Sequence, residues 1–134
     1  MSELIVGLGI DLIEVARFER EVARHGDGVI GELFSPMEIA ACRRLHDPFP
    51  AYAVRFAAKE ALLKALGTGL VGRMSWRDIE VVDGAKGARL QLTGETGAAA
   101  TRLGVGRIHL STARAAEHAA ASVVLESVTM SADG

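Results

Sequence analysis

One cysteine, Cys42, occurs in the 134 residues, so no disulfide can close within the chain. Disulfide frameworks belong to oxidising compartments. Without one, and with no signal-peptide pattern and no apolar run long enough to span a bilayer, a reducing cytoplasm and no membrane are expected. Cys42 stands next to Arg43, which could lower a thiol pKa, but a packed helix cysteine is the commoner role. Neither sign of charge dominates: 15 Lys and Arg against 17 Asp and Glu give a formal net charge of −2. That balance argues against bulk binding to nucleic acid. Also missing are an internal repeat, a domain linker and a low-complexity tract. One domain is expected over residues 1–126, with a loose tail over 127–134.

What is present is concentrated in Arg55 to Gly69, RFAAKEALLKALGTG. Pro48 and Pro50 block an earlier start and Gly67 stands where a left-handed cap belongs, so the spacing predicts a helix over Ala51–Leu66. Ala58, Ala61, Leu62 and Ala65 cover one side of it, and Phe56 and Leu63 much of the other. A helix apolar nearly all round is normally buried. Yet Arg55, Lys59, Glu60 and Lys64 ride on it. On an exposed helix an i,i+4 Glu60–Lys64 pair would account for two of them, at about 0.2–0.5 kcal/mol. On a buried one, stripping water from two charges costs several kcal/mol per ion. Such charges need a stronger partner, and a metal or a phosphate would serve.

The segment Leu4–Val15, LIVGLGIDLIEV, reads as a strand with one buried apolar face and one face close-packed through Gly7 and Gly9. Asp11 follows the glycines, where it could also be a helix N-cap. Leu12–Arg24 reads as a helix stopped by Gly26, with Val15, Phe18 and Val22 as its core stripe. Arg17, Arg20 and Arg24 form a second stripe, interrupted by Glu21, that is either a solvated face or a dock for an acidic partner. Ser35-Pro36-Met37-Glu38 is a capping box opening a helix to about Leu45, and His46 falls in an exposed loop. Beyond Gly69, Trp76–Asp83 and Ala88–Leu92 read as a hairpin, and Thr93–Leu103 as a helix stopped by Gly104. Arg107–Ala113 and Ala119–Glu126 then read as a last strand pair. The class is α+β.

Gly9-Ile10-Asp11, together with Arg55-Phe56-Ala57-Ala58-Lys59-Glu60-Ala61, Lys64-Ala65 and Gly67-Thr68-Gly69, closely resembles the two signatures of holo-acyl-carrier-protein synthases. These are the short, single-domain 4′-phosphopantetheinyl transferases, and Ser75-Trp76-Arg77-Asp78-Ile79-Glu80 looks like the family's strand after the GTG loop. The similarity runs from about Gly7 to Glu126. It implies a small antiparallel sheet packed with helices, and transfer from coenzyme A to a serine of an apo-acyl carrier protein, releasing 3′,5′-ADP. It also implies Mg²⁺ and a homotrimer with active sites between subunits. Asp11 and Glu60 match the family's metal ligands, Glu60 or a metal-held water taking the serine proton, and Lys64 its phosphate lysine. By the same resemblance Arg17 and Arg24 meet the carrier protein, while no family role carries over to Arg20; Glu21, within the stripe, either weakens its field or tunes the choice of partner. Gly67, His109 and Ser111 fall to the coenzyme A site. Arg55 and Lys59 match family positions that either touch substrate or support the site by ion pairing.

The chain departs from the family's His-x-Ser-x-Ser/Thr-His at its end, reading His109-Leu110-Ser111-Thr112-Ala113-Arg114. Arg114 takes the place of the second histidine, and its guanidinium can grip phosphate oxygens with two parallel hydrogen bonds. It is expected either to hold a phosphate of coenzyme A or to point into solvent. Two rivals use the same residues: a Mg²⁺-dependent diphosphate hydrolase and a non-catalytic coenzyme A-binding trimer.

Overall fold

Residues 4–128 are described by a computed structural model. Its organising element is the helix α4, Phe49–Leu66, closed by Gly67 in the left-handed conformation at φ 79°. The helix starts two residues earlier than the prolines suggest. Pro50 sits in the first turn, where an amide N–H has no intrahelical acceptor and its loss costs nothing. Burial is as expected: Ala53, Ala57, Ala58, Ala61 and Leu62 are fully inaccessible.

Beneath α4 lies a three-stranded antiparallel sheet with β5 (His118–Ser127) between β1 (Ile5–Glu14) and β4 (Val105–Arg114). Gly7 and Gly9 let strand backbone meet helix backbone. A Cβ on Gly9 would lie 1.9 Å from the Ala61 carbonyl oxygen, and one on Gly7 2.1 Å from that of Ala65. Register then sorts the side chains. Ala119, Ala121, Val123 and Leu125 of β5 are buried under α4, and Asp11 pairs with Ala121 on that same face. Leu8, Ile10 and Leu12 point the other way and are 67%, 69% and 67% exposed. The expected burial of this apolar face is therefore not met within one chain. α4 covers one side of the sheet, and the residues opposite its glycine face are left open.

The remaining elements are α1 (Val15–His25), α2 (Gly28–Leu33), α3 (Pro36–Arg43), a 3-10 turn at Trp76–Asp78, β2 (Ile79–Val82), β3 (Arg89–Leu92) and α5 (Gly94–Leu103). α1 begins at Val15 rather than Leu12 because β1 goes on pairing as far as Glu14, opposite His118. Asp11 is thus a mid-strand residue and caps no helix. The short α2, rich in glycine, had no periodic signal. α3 opens on the expected capping box, with Ser35 Oγ accepting from the Glu38 amide at 3.2 Å and Glu38 Oε1 from the Ser35 amide at 2.9 Å, but it ends at Arg43. A second reciprocal cap, Ser75 with Asp78, holds the 3-10 turn and delays β2 to Ile79. Gly104, at φ 89°, stops α5 as expected. β5 runs on through Ser127, and residues 129–134 of the expected tail lie outside the described residues.

Two cores result. One joins α4 to the sheet, β2, β3 and α5; the other gathers Val15, Phe18, Phe34, Cys42 and Tyr52. Cys42 is buried there as a packed thiol, and burial pushes its pKa up. Between the cores lies a buried ion pair. Lys59, fully inaccessible, donates to Glu38 Oε1 at 2.8 Å, to the Trp76 carbonyl at 3.1 Å and to the Ile79 carbonyl. Glu38 Oε2 accepts from the Val81 amide at 2.9 Å. Lys59 is thus a tie between α3, α4 and β2, fully spent on the protein itself. Burial lowers its pKa, and the Glu38 carboxylate offsets only part of that.

Candidate active site

Asp11 meets α4 because the glycines before it bring β1 onto the helix. Lys64 Nζ donates to Asp11 Oδ1 at 2.8 Å and to the Ile10 carbonyl at 3.1 Å. Lys64 is paired with Asp11, across the seam, and not with Glu60 one turn back. The Asp11 side chain is 15% exposed, that of Lys64 55%, so the ammonium is open to a ligand. Hydrogen bonding to Asp11 raises the Lys64 pKa. Glu60 is pushed up first by burial and then by the Asp11 carboxylate, with Lys64 acting against both. Two carboxylates close enough for Asp11 to raise the proton affinity of Glu60, beside a single lysine, make a place that favours a cation.

The donor set speaks to which one. Among the described residues no group of three or more His, Cys, Asp or Glu gathers to hold a metal. Two carboxylates with open positions suit a hard cation of the Mg²⁺ type, which keeps several waters and takes substrate phosphate oxygens, rather than an all-protein cage.

Asp11 and Glu60 border a cavity of about 650 Å³, walled by Phe18, Val22 and Phe56 and reached by Arg17. Among the described residues no ion pair engages Arg17, whereas Arg20 lies 3.7 Å from Glu14 and Arg24 Nη2 donates to Glu21 Oε1 at 2.6 Å. The arginine stripe is therefore divided, one member outside any ion pair beside the carboxylates and two held by the chain's own acids. His118 also lines this cavity, and nothing in the sequence marked it: only its pairing with Glu14 across β1 and β5 brings it there.

The other expected site residues lie elsewhere. His109 and Ser111 pair with Val124 and Ser122, on the open face of the sheet, with His109 Nε2 2.9 Å from Glu126 Oε1. Gly67 remains the cap of α4. Arg114, the last residue of β4, shares a cavity of about 430 Å³ with Arg55 and Asp83. Arg55 Nη2 donates to Asp83 Oδ2 at 3.2 Å, and its Nε is buried with no hydrogen-bond partner. One chain thus brings Asp11, Glu60, Lys64 and Arg17 together, and sets His109 and Ser111 across the sheet from them.

The sequence profile of the 4′-phosphopantetheinyl transferase superfamily matches residues 7–123. The chain is 40% identical over 124 residues to the holo-[acyl-carrier-protein] synthase of Koribacter versatilis, covering 92% of this chain and 99% of that one. Its fold is similar to the crystal structure of the holo-[acyl-carrier-protein] synthase of Neisseria meningitidis, with a TM-score of 0.84 and 31% identity over 92% of this chain and 99% of that one. It is similar also to the Bacillus anthracis synthase in complex with CoA (3′,5′-ADP), with a TM-score of 0.76, 34% identity, and 93% and 99% coverage. Profile, sequence and fold agree over nearly the whole length, and the chain belongs to the 4′-phosphopantetheinyl transferase superfamily, as an enzyme of its holo-[acyl-carrier-protein] synthase family.

Proposed function

We propose that the enzyme transfers the 4′-phosphopantetheine arm of coenzyme A to a serine hydroxyl of an apo-acyl carrier protein and releases 3′,5′-ADP. The observation that carries this reading is the convergence of Asp11, Glu60 and Lys64 at the β1–α4 seam, on the edge of the cavity that Arg17 reaches. In the transfer, the serine oxygen forms a bond to the phosphorus of the pantetheine phosphate as the bond to the ADP phosphate oxygen breaks. Glu60, its proton affinity raised by burial and by Asp11, takes the serine proton. Lys64 neutralises or protonates the departing phosphate, for which a charge-assisted hydrogen bond is well suited. Asp11 and Glu60 would hold Mg²⁺, which supplies charge neutralisation at the diphosphate when bound. Arg17, with Arg24, takes the acidic face of the carrier.

Arg55 and Arg114, on the cavity at the end of β4, bind a coenzyme A phosphate, and the unpartnered Arg55 Nε supports an acceptor there. Three copies assemble so that Leu8, Ile10 and Leu12 are covered and His109 and Ser111 of one subunit face a neighbour's Asp11 and Glu60. The open apolar face, and the wrong-side placement of His109 and Ser111 within one chain, support that arrangement. The reaction belongs in the cytoplasm, where a lone thiol stays reduced.

Intact-mass analysis of an apo carrier, incubated with enzyme, coenzyme A and Mg²⁺, tests the reading. A mass gain of one phosphopantetheine with equimolar 3′,5′-ADP is expected. Coenzyme A consumed equally fast without carrier would make the protein a diphosphate hydrolase, and no turnover in either case would make it a binding protein. Activity per chain should also fall on dilution as trimers dissociate, and a fully active monomer would remove the shared site.

A further inference from the structure

The arginine stripe of α1 is arranged so that the chain's own acid competes for it. Arg24 Nη2 is hydrogen-bonded to Glu21 Oε1 at 2.6 Å, and His25 Nε2 lies 3.7 Å from the same oxygen. Glu21 is half exposed and reaches the rim of the cavity that Arg17, Asp11 and Glu60 border. The bond is short and charge-assisted, and it holds the Glu21 carboxylate below the usual carboxylate range, chiefly through Arg24. An acidic partner approaching α1 therefore finds Arg17 outside any ion pair among the described residues, feeling Glu21 only through space, and Arg24 occupied. α1 carries Arg17, Arg20 and Arg24 against Glu19 and Glu21, so losing Glu21 would double its net positive charge from one to two, with His25 neutral.

Resting on the reading that α1 receives the carrier, we infer that Glu21 is a specificity-determining residue: an internal competitor that a carrier acid must displace from Arg24 before docking is complete. A carrier whose carboxylate reaches Arg24 exchanges one ion pair for another and gains the geometry of a second contact. One without an acid at that place leaves the Glu21–Arg24 pair intact and binds through Arg17 alone. Removing a like-charged rim residue should act on encounter and affinity for the carrier, leaving the chemical step unchanged.

Steady-state kinetics of wild type, Glu21→Gln, Arg24→Gln and the double variant test this, with coenzyme A saturating and the apo carrier varied. Glu21→Gln is expected to raise kcat/KM for the carrier about two- to five-fold at low salt, the range of an exposed ion pair. Neither kcat nor KM for coenzyme A should change. In the Arg24→Gln background the gain should fall by at least half, to the part that loss of a like charge alone supplies, since there is no paired arginine left to release. The gain should also shrink in high salt. An unchanged or lower kcat/KM in Glu21→Gln overturns the inference, as does a gain of the same size without Arg24, which would make Glu21 a general field effect. If wild type modifies no carrier at all, the transferase reading fails with it; if wild type is active and only the Glu21 effect is absent, that reading stands.

Discussion

Gly9→Ala is the sharpest test of how the seam between β1 and α4 is built. The added Cβ would lie 1.9 Å from the Ala61 carbonyl oxygen, 2.8 Å from the Ala65 amide nitrogen and 2.9 Å from the Ala61 carbonyl carbon. A carbon normally keeps about 3.3 Å or more from a carbonyl oxygen, so strand and helix must part by about 1.4 Å. All three neighbours are backbone atoms of a buried helix, and none can turn aside as a side-chain tip would. Overpacking typically costs about 1–3 kcal/mol. Here the parting also thins the contacts of Ala61, Leu62 and Ala65 with the sheet, because a gap of about 0.5–1 Å already forfeits a quarter to a half of each contact. A loss of about 3–5 kcal/mol is expected, read by urea denaturation with an unchanged slope. Asp11 is two residues on and Glu60 precedes Ala61, so the same parting separates the two carboxylates. A displacement of about 1 Å can cost on the order of 10²-fold in rate, and kcat should fall by about that much under conditions where the variant is folded. Gly31→Ala is the control: nothing lies within 4 Å of its Cβ, and alanine in a helix should stabilise by about 0.5–1 kcal/mol. Gly9→Ala within 1 kcal/mol of wild type and equally active would refute the close-packed seam.

Glu60→Gln should lower transfer by about 10²–10⁴-fold, the worth of a positioned acid–base group, while raising the melting temperature at neutral pH. The sign follows from the raised pKa of Glu60: its contribution to stability is fully present below the unfolded carboxylate pKa and is lost as pH rises through the folded one, so at neutral pH the charge is a cost that glutamine removes. Near-wild-type turnover at saturating Mg²⁺ would count against both roles of Glu60. Lys59→Met leaves the inaccessible Glu38 carboxylate without its cation and should cost about 3–5 kcal/mol in chemical denaturation; a loss below 1 kcal/mol would mean the pair is dispensable. Arg114→Ala should erase the preference for coenzyme A over its 3′-dephospho form by on the order of 1.5–3 kcal/mol, read as the ratio of KM values. If the variant separates the two substrates as well as wild type, Arg114 does not read that phosphate.

Much of this protein was local enough to be legible in its sequence. A helix apolar nearly all round, ended by Gly67, announced its own burial, and the charges on it announced a need for partners. The capping box at Ser35, the glycine pair before Asp11 and the stop at Gly104 each act within a few residues, and each is found where the spacing put it. What tertiary structure alone decided is who meets whom. Lys64 had a glutamate one turn away and pairs instead with Asp11, 53 residues distant in the chain. Lys59 could have faced substrate and is tied to Glu38. The alternation in β1 specified two faces but not which of them α4 would cover, nor that His109 and Ser111 would fall on the face it leaves open. A period-two pattern is symmetric between the sides of a sheet. That symmetry is broken by backbone contact between elements far apart in sequence, and here the contact is possible only where Gly7 and Gly9 have no side chain to hold α4 away.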